Sequence, residues 1–525
     1  MAALVVFLGL TLPWLNPLTW GPMTGAVPLW FSWVGASVAL GVIAATPAGW
    51  SAQRLMRLAA GAWLVAALIS VLMGLMQYFG AVEFLRGWIS PTPVGVAFAN
   101  LRQRNQFASL TSMGLVALLW WVTCHVTPHT RSQRSSSTPT SLSQPLEAAP
   151  RLQANLHQLG TLGAALLLGV GNAASSSRTG LMQLALIAAL TLIWGQLRHP
   201  AVRRTLLATV LVYGLASVAL PWLAGLDPFG SGAWARLRDG DAACASRLTL
   251  WGNVLHLIAQ KPWLGWGWGE LDYAPFITLY PGERFCDILD NAHNLPLHLA
   301  VELGVPAAVL LCGAALWAGW RAKPWREADP LRRLAWSMVA VILLHSQLEY
   351  PLWYGPFQVA LGLSVWFVWR TRASAASQEG KTDFHMGAPV SLGPNLKPFD
   401  LLAGVSIALI ALFFIALSTY ATWDYHRISQ IYLSPAKRSA AYRENTLSKI
   451  QDSVLFKQQV RFAELTTTTL TPANAVRVHS LALALLHFSP EPRVIKKLID
   501  SAELLGQRDE AEFYRVRFEA AFKVK

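Results

Sequence analysis

The sequence predicts an all-α, polytopic membrane protein. Three observations carry that reading. Hydrophobic residues fill 54% of the 525 positions and charged residues 13%, where a soluble chain carries roughly a quarter charged. Several apolar runs reach about 20 residues, the length that crosses a hydrocarbon core. These runs are continuously apolar, whereas the strands of a membrane β-barrel alternate polar and apolar.

Residues 1–18 are apolar but lack the basic n-region and small-residue cleavage site of a secretory signal, so they read as a first span. The second span is predicted over 27–45 and the third over 55–79. A polar loop, GAVEFLRGWISPTPVGVAFANLRQR, leads into a fourth over 105–126. Residues 127–156, rich in Ser, Thr, Pro and Gln, read as a disordered cytoplasmic connector. Spans five and six, 157–174 and 179–197, are separated only by SSSRTG, and span seven covers 205–223. These seven spans make up residues 1–225. A long polar loop follows over 226–294. Residues 295–420 hold spans eight to eleven, at 295–320, 334–349, 356–369 and 401–420. The remainder, 421–525, reads as a soluble helical domain, with period-3.6 patterning in AVRVHSLALALLHF and AELLGQRDEAEFYRVRFEAAF. LGQRDEAEFYRV has the flavour of a tetratricopeptide helix pair; a small helical domain packed on the membrane surface fits the same pattern.

Charge then orients the chain. With the N-terminus in the cytoplasm, every inner loop is basic: Arg54 and Arg57; Arg131, Arg134 and Arg151; Arg198, Arg203 and Arg204; Arg321, Lys323, Arg326, Arg332 and Arg333; Arg370, Arg372, Lys381 and Lys397. Eleven spans place the long loop and the C-terminal domain outside. The net charge of +14 lies largely in these short loops. Topology therefore accounts for it, and neither a basic–aromatic stripe nor a nucleic-acid motif is present. Cys124 and Cys312 fall in or at the ends of spans, while Cys244 and Cys286 share the long loop. In an oxidising periplasm those two can bridge, adding about 4 kcal/mol in the chain-entropy model; two free thiols are the alternative.

Eight arginines break the charge rule by lying outside: Arg86, Arg102, Arg104, Arg178, Arg236, Arg238, Arg247 and Arg284. Arg178 sits in a short hairpin between two apolar spans, where a charge costs several kcal/mol unless paired or solvated. Snorkelling to headgroups or pairing with a buried carboxylate satisfies it. So does an anion site, because guanidinium matches phosphate oxygens in bidentate geometry. His293, at the end of the long loop in CDILDNAHNLPLHLAVELG, has an unperturbed pKa suited to a general base. Asp287 and Asp290 either orient it and offset the arginines or are solvated loop charges. His298 and Glu302, spaced i, i+4, read as a structural pair. In HSQLEYPLWYGP the rings form an aromatic belt, and Glu349 is a partner for one of the outside arginines. PWLGWGWGE lacks the preceding strand and the GKS/T of a nucleotide loop, and fits a tight loop or a sugar-stacking surface. No HExxH or CxxC spacing calls for a metal, and no cofactor is implied. An extracytoplasmic anion beside a histidine points to a donor that arrives activated, such as a polyprenyl-diphosphate-linked sugar, with arginines stabilising the leaving pyrophosphate.

At AHNLPLHLAVELG, SSSRTG, RQRNQFAS and LEYPLWY the chain resembles the bacterial superfamily of O-antigen ligases, O-antigen polymerases and protein O-oligosaccharyltransferases. LEYPLWY makes it most similar to the pilin-glycosylating oligosaccharyltransferases. The resemblance implies a GT-C-type membrane fold. It also implies metal-independent, inverting transfer of a glycan en bloc from undecaprenyl pyrophosphate to a hydroxyl of a pilin-like protein. It maps the essential histidine to His293, within a histidine–asparagine motif completed by Asn294, and the hairpin arginine to Arg178. A further pyrophosphate arginine maps to Arg247 or Arg284. Asn105 and Gln106 match the RQRNQF stretch, which also holds Arg102 and Arg104, and Tyr350 matches the tyrosine of LEYP. Two rival readings stand beside it. One keeps the donor and changes the acceptor to lipid A core or a growing chain. The other is a non-catalytic transporter or lipid-handling protein, which predicts inverted repeats or broken helices at mid-membrane.

Overall fold

In a computed structural model of the chain, the residues described are 1–18, 23, 25–46, 50–85, 87–126, 148–238, 243–288, 290–376 and 398–522. Arg86, Arg131, Arg134, Lys381, Lys397 and most of the expected connector lie outside them. The described residues are helical and contain no β-strand. The first seven helices are α1 (Ala2–Leu15), α2 (Ala26–Ala45), α3 (Ala52–Tyr78), α4 (Arg104–Val126), α5 (Ala148–Ala174), α6 (Arg178–Ile193) and α7 (Pro200–Leu223). The long loop carries α8 (Gly232–Arg238), α9 (Arg247–Gln260) and α10 (Tyr273–Ile277). Next come α11 (Leu295–Leu303), α12 (Val305–Ala322), α13 (Pro330–Ser346), α14 (Gly355–Ala376) and α15 (Pro398–Ser429). The last four are α16 (Lys457–Thr467), α17 (Ala475–Leu485), α18 (Pro492–Leu504) and α19 (Arg508–Ala521).

Six of these, α2, α3, α4, α7, α12 and α15, are long and apolar enough to cross a membrane, which makes the chain a multi-pass membrane protein. Helix α4 is the pillar of the bundle. It packs against α3, α5, α6, α7 and α13, and 83% of its apolar window is buried in protein. Its polar residues Ser109, Thr111 and Ser112 therefore find partners inside the bundle, as when Gln183 of α6 donates to Ser109 Oγ at 2.7 Å. Helix α12, by contrast, is only 6% buried and presents its leucines and tryptophans outward.

Four boundaries depart from the sequence reading. Helix α1 has 14 residues, with Pro13 inside its last turn and Asn16 at its C-cap, so it rises about 21 Å, short of a full crossing. Helix α5 starts at Ala148, within the stretch read as a connector. Helix α15 runs past Tyr420 to Ser429, because Tyr425 and Ile428 pack against Val27, Ile450 and Phe456 and keep the helix going.

The fourth departure matters most. The expected span 295–320 breaks at Gly304 into α11 and α12. Gly304 has φ of 89°, and a Cβ there would collide with the carbonyl of Trp263. The PWLGWGWGE loop wraps the break and satisfies the orphaned backbone groups of both helix ends. Trp266 N donates to Val301 O at 2.8 Å, Gly267 N to Glu302 O at 3.0 Å, and Val305 N to Pro262 O at 2.8 Å. This is the tight-loop role of those glycines. It fixes α11, and with it the histidine just upstream.

The long loop is closed by a disulfide between Cys244 and Cys286, with Cα atoms 5.1 Å apart. Helices α16 to α19 pack each on the next around Leu465, Val478, Leu485, Ile495 and Leu498. They dock on α10 of the long loop: Phe276 enters their core, Arg517 Nε donates to Ile277 O at 2.8 Å, and His487 stacks on Tyr273 with ring centres 3.8 Å apart.

Candidate active site

Three helices begin at one end of the bundle with an arginine as their first residue: α4 at Arg104, α6 at Arg178 and α9 at Arg247. None has an acidic residue in its first turn. This inverts the usual preference, since the N-terminal end of a helix carries partial positive charge and favours anions. Ser177 and Ser246 cap α6 and α9, accepting from Gly180 N and Thr249 N at 3.1 Å each. The three helix starts open on a solvent-accessible cleft of about 340 Å³. Its described lining holds five arginines, Arg102, Arg104, Arg178, Arg236 and Arg247, against one carboxylate, Glu349. The cleft concentrates positive charge, a field that favours anions.

Glu349 organises the floor. Its Oε1 accepts from Asn105 Nδ2 at 2.7 Å and from Arg247 Nη2, and its Oε2 lies 3.2 Å from His293 Nδ1. Asn105 is held in turn by Ser177, whose hydroxyl donates to Asn105 Oδ1 at 2.5 Å. SSSRTG, RQRNQF, LEYP and the histidine motif thus meet through one carboxylate. Burial pushes the His293 imidazole below its ordinary pKa, with Arg247 adding to the effect and Glu349 and Asp290 opposing it. Tyr350 stands beside the imidazole, ring centres 5.1 Å apart, and burial raises its hydroxyl pKa.

Backbone strain gathers here too. Of the six described non-glycine residues with positive φ, four, Ala99, Arg102, Ser176 and His293, lie in the segments that wall the cleft. Such conformations persist only where the surroundings enforce them. For His293 the enforcement is Asn291, whose Oδ1 accepts from His293 N at 2.7 Å, and Asn294, which caps α11 through Leu297 N at 3.1 Å. For Ala99 it is Gln77 of α3. Its Oε1 accepts from Ala99 N at 2.7 Å and Phe98 N at 3.0 Å, while its Nε2 donates to Ser90 O and Ala99 O.

Of the residues singled out in the sequence, the structure brings Arg102, Arg104, Asn105, Arg178, Arg247, His293 and Glu349 to the cleft, with Tyr350 against His293. It does not bring Gln106, which is buried at 2% exposure and does not line the cleft. Asn294 is a helix cap that also donates to Gln347 O at 3.1 Å. Arg284 faces a different cavity, so of the two arginines proposed for a pyrophosphate Arg247 is the one on the cleft. Asp287 and Asp290 are exposed loop residues. His345 is fully buried with Nδ1 2.9 Å from Ser109 Oγ, inside the bundle rather than in the cleft. Arg236 lines the cleft and was visible in the sequence only as one more outside arginine without a motif. Gln77 carried no signal beyond being a polar residue in an apolar span, and Ser177 lay in SSSRTG without being singled out.

Known families match this chain in three stretches. The family described as protein glycosylation ligase matches residues 97–122, and that described as O-antigen ligase matches 163–312. The family described as virulence factor membrane-bound polymerase, C-terminal, matches 333–525. Each cleft-lining motif falls within one of them. By these matches the chain is similar to the O-antigen ligases and oligosaccharyltransferases. A general O-oligosaccharyltransferase of Acinetobacter baylyi (strain ATCC 33305 / BD413 / ADP1) is 30% identical over 118 residues, which cover 22% of this chain and 20% of that relative. No solved structure matches it.

Proposed function

We propose that this chain is a GT-C-type O-oligosaccharyltransferase of the bacterial inner membrane, with its cleft facing the periplasm. It moves a glycan en bloc from undecaprenyl pyrophosphate to Ser or Thr of an exported protein such as pilin. The observation that carries the reading is the group of five arginines, three of them opening helices, that lines one cleft with an imidazole–carboxylate pair. Placing the basic short loops in the cytoplasm puts the cleft on the opposite side.

In this reading the diphosphate sits among Arg102, Arg104, Arg178 and Arg247, and its polyprenyl tail stays between helices. The Glu349 carboxylate favours the tautomer with hydrogen on Nδ1, which leaves the His293 Nε2 lone pair for the acceptor. His293 is neutral at working pH because burial lowers its pKa. The acceptor hydroxyl gives its proton to Nε2 as its oxygen bonds to the anomeric carbon. The bond from that carbon to the phosphate oxygen breaks, and the arginines hold the charge that develops on the departing pyrophosphate. One displacement inverts the anomeric centre and needs no metal in its accounting.

The ligase and polymerase matches favour a second reading, in which the same donor meets a sugar acceptor, either lipid A core or a growing chain. Purified protein supplied with labelled lipid-linked glycan and, separately, pilin, core lipopolysaccharide or short repeat units separates the two. Label on pilin is the expected result. Unmodified pilin alongside capped lipopolysaccharide overturns the choice of acceptor, and a transporter would label none of the three.

A further inference from the structure

Helix α9 is apolar on two faces, although it belongs to the long loop between spans. One face is covered by protein: Leu250, Val254, Leu257 and Ile258 are buried with Ala300 and Val301 of α11. The other carries Leu248, Gly252, Leu255 and Ala259, all exposed and spaced to share one side of the helix. Between Arg247 and Lys261 the chain has no Asp, Glu, Lys or Arg. The polar side chains there turn to the protein: Trp251 Nε1 donates to Ala292 O at 3.1 Å, Asn253 Nδ2 donates to Glu283 O at 3.0 Å, and the His256 ring lies 5.5 Å from that of Tyr280. Just past the helix, Trp263 and Leu264 are largely exposed, as are Leu248 and Leu255. A helix that is hydrophobic all round belongs in a protein core or in lipid, and protein covers only one side of α9.

What covers the other side follows from where the helix ends. The turn after it is tied to the head of the membrane-crossing helix α12: Val305 N donates to Pro262 O at 2.8 Å, and Gly304 sits against the Trp263 carbonyl. Helix α12 turns Val309 and Leu310 outward, so the exposed stripe of α9 leads through Trp263 and Leu264 to a lipid-facing surface. Tryptophan at the head of a span is typical of the water–lipid interface. We propose that α9 and the turn after it form a monotopic element seated in the bilayer leaflet on the cleft side, with the acyl chains of that leaflet as the partner of the Leu248–Leu255 face. Over its 14 residues the helix rises about 21 Å, joining Arg247 in the cleft to the head of α12. Seated this way it holds Arg247 near the level of the lipid phosphates. On the reading of the cleft given above, a lipid-linked diphosphate then meets the arginines without leaving the leaflet.

The test uses the full-length protein in nanodiscs of phosphatidylethanolamine and phosphatidylglycerol, with Cys124→Ala and Cys312→Ala removing the free thiols and the Cys244–Cys286 bridge kept. Nitroxide labels on Leu255→Cys and Leu264→Cys are compared with one on Asp509→Cys, an exposed position of α19. Collisions with oxygen, which concentrates in lipid, and with a nickel chelate, which stays in water, report the depth of each label. The labels at 255 and 264 should sit about 5–10 Å into the headgroup–acyl boundary, and the label at 509 in water. Equal access of the nickel chelate to all three would overturn the proposal by showing a water-facing stripe. Shielding of 255 and 264 from both reagents would overturn it in favour of a second copy of the chain or another protein on that face. The unmodified chain gives an independent reading: phospholipid with a diazirine in its acyl chain should crosslink to residues 248–264 and not to α19. Labelling of both segments alike, or of neither, would overturn the proposal as well. No glycan enters either measurement, so its outcome is separate from that of the proposed activity.

Discussion

The chain carries two histidine–glutamate pairs that begin five residues apart and differ little in length: His293 with Glu349 at 3.2 Å, and His298 with Glu302 at 3.4 Å. Their surroundings separate them. His298 and Glu302 are each about 98% buried; Trp268 and Trp353 face the imidazole edge-on, and Gly269 N donates to Glu302 at 3.0 Å. Both side chains are closed off from solvent. His293 is a fifth exposed on an open cleft, Arg247 shares its carboxylate, and the backbone beneath it is held at positive φ. The same two side chains serve packing in one place and chemistry in the other because of what can approach them.

Mutations can break or sharpen that contrast. His293→Ala should lower transfer by on the order of 10³-fold or more, the scale of a lost general base, with the protein still folded and inserted. A loss of only a few-fold in a transfer assay would move the histidine off the reacting atoms. Arg178→Ala should cost about 10²-fold or more in kcat, as when a preorganised charge-stabilising donor is removed; an unchanged kcat with a raised KM would reduce it to an anchor for the donor.

Glu349→Gln should cost about tenfold and also shift the pH profile. The base must be neutral, so kcat/KM rises through the His293 pKa and levels above it, and burial sets that midpoint below 6.5. Glu349 opposes the depression, so its neutral replacement should move the rising limb to lower pH. A limb that stays or moves up would detach the carboxylate from the imidazole. His298→Ala should have the smallest effect on turnover, within about threefold, and cost on the order of 3 kcal/mol of stability by breaking a buried pair. Thermal unfolding beside the transfer assay reads both, and a full-stability variant without activity would erase the distinction between the pairs.

Much of the site was legible because its charges violate membrane rules. Arg178 in a hairpin between apolar spans, and Glu349 at a span end, are residues that only a polar partner or a ligand explains, and both line the cleft. Long-range geometry was not legible. Arg247 and Arg284 share one loop and one charge, and only the folding of α9 against α11 decides which faces Glu349. The break at Gly304 was written in the ELG-VP sequence, but an unbroken apolar run hid it. Gln77 supports the strained turn at Ala99 from a helix away, and one polar residue in an apolar span gives no hint of which turn it will hold.

The central claim is that the arginines bind the diphosphate while His293 acts on the acceptor, and binding measured apart from chemistry tests it most directly. The dissociation constant of a short-chain polyprenyl pyrophosphate should rise at least tenfold in Arg178→Ala and stay within twofold in His293→Ala, the variant that no longer transfers. Equal weakening in both variants, or none in the arginine variant, would contradict the account.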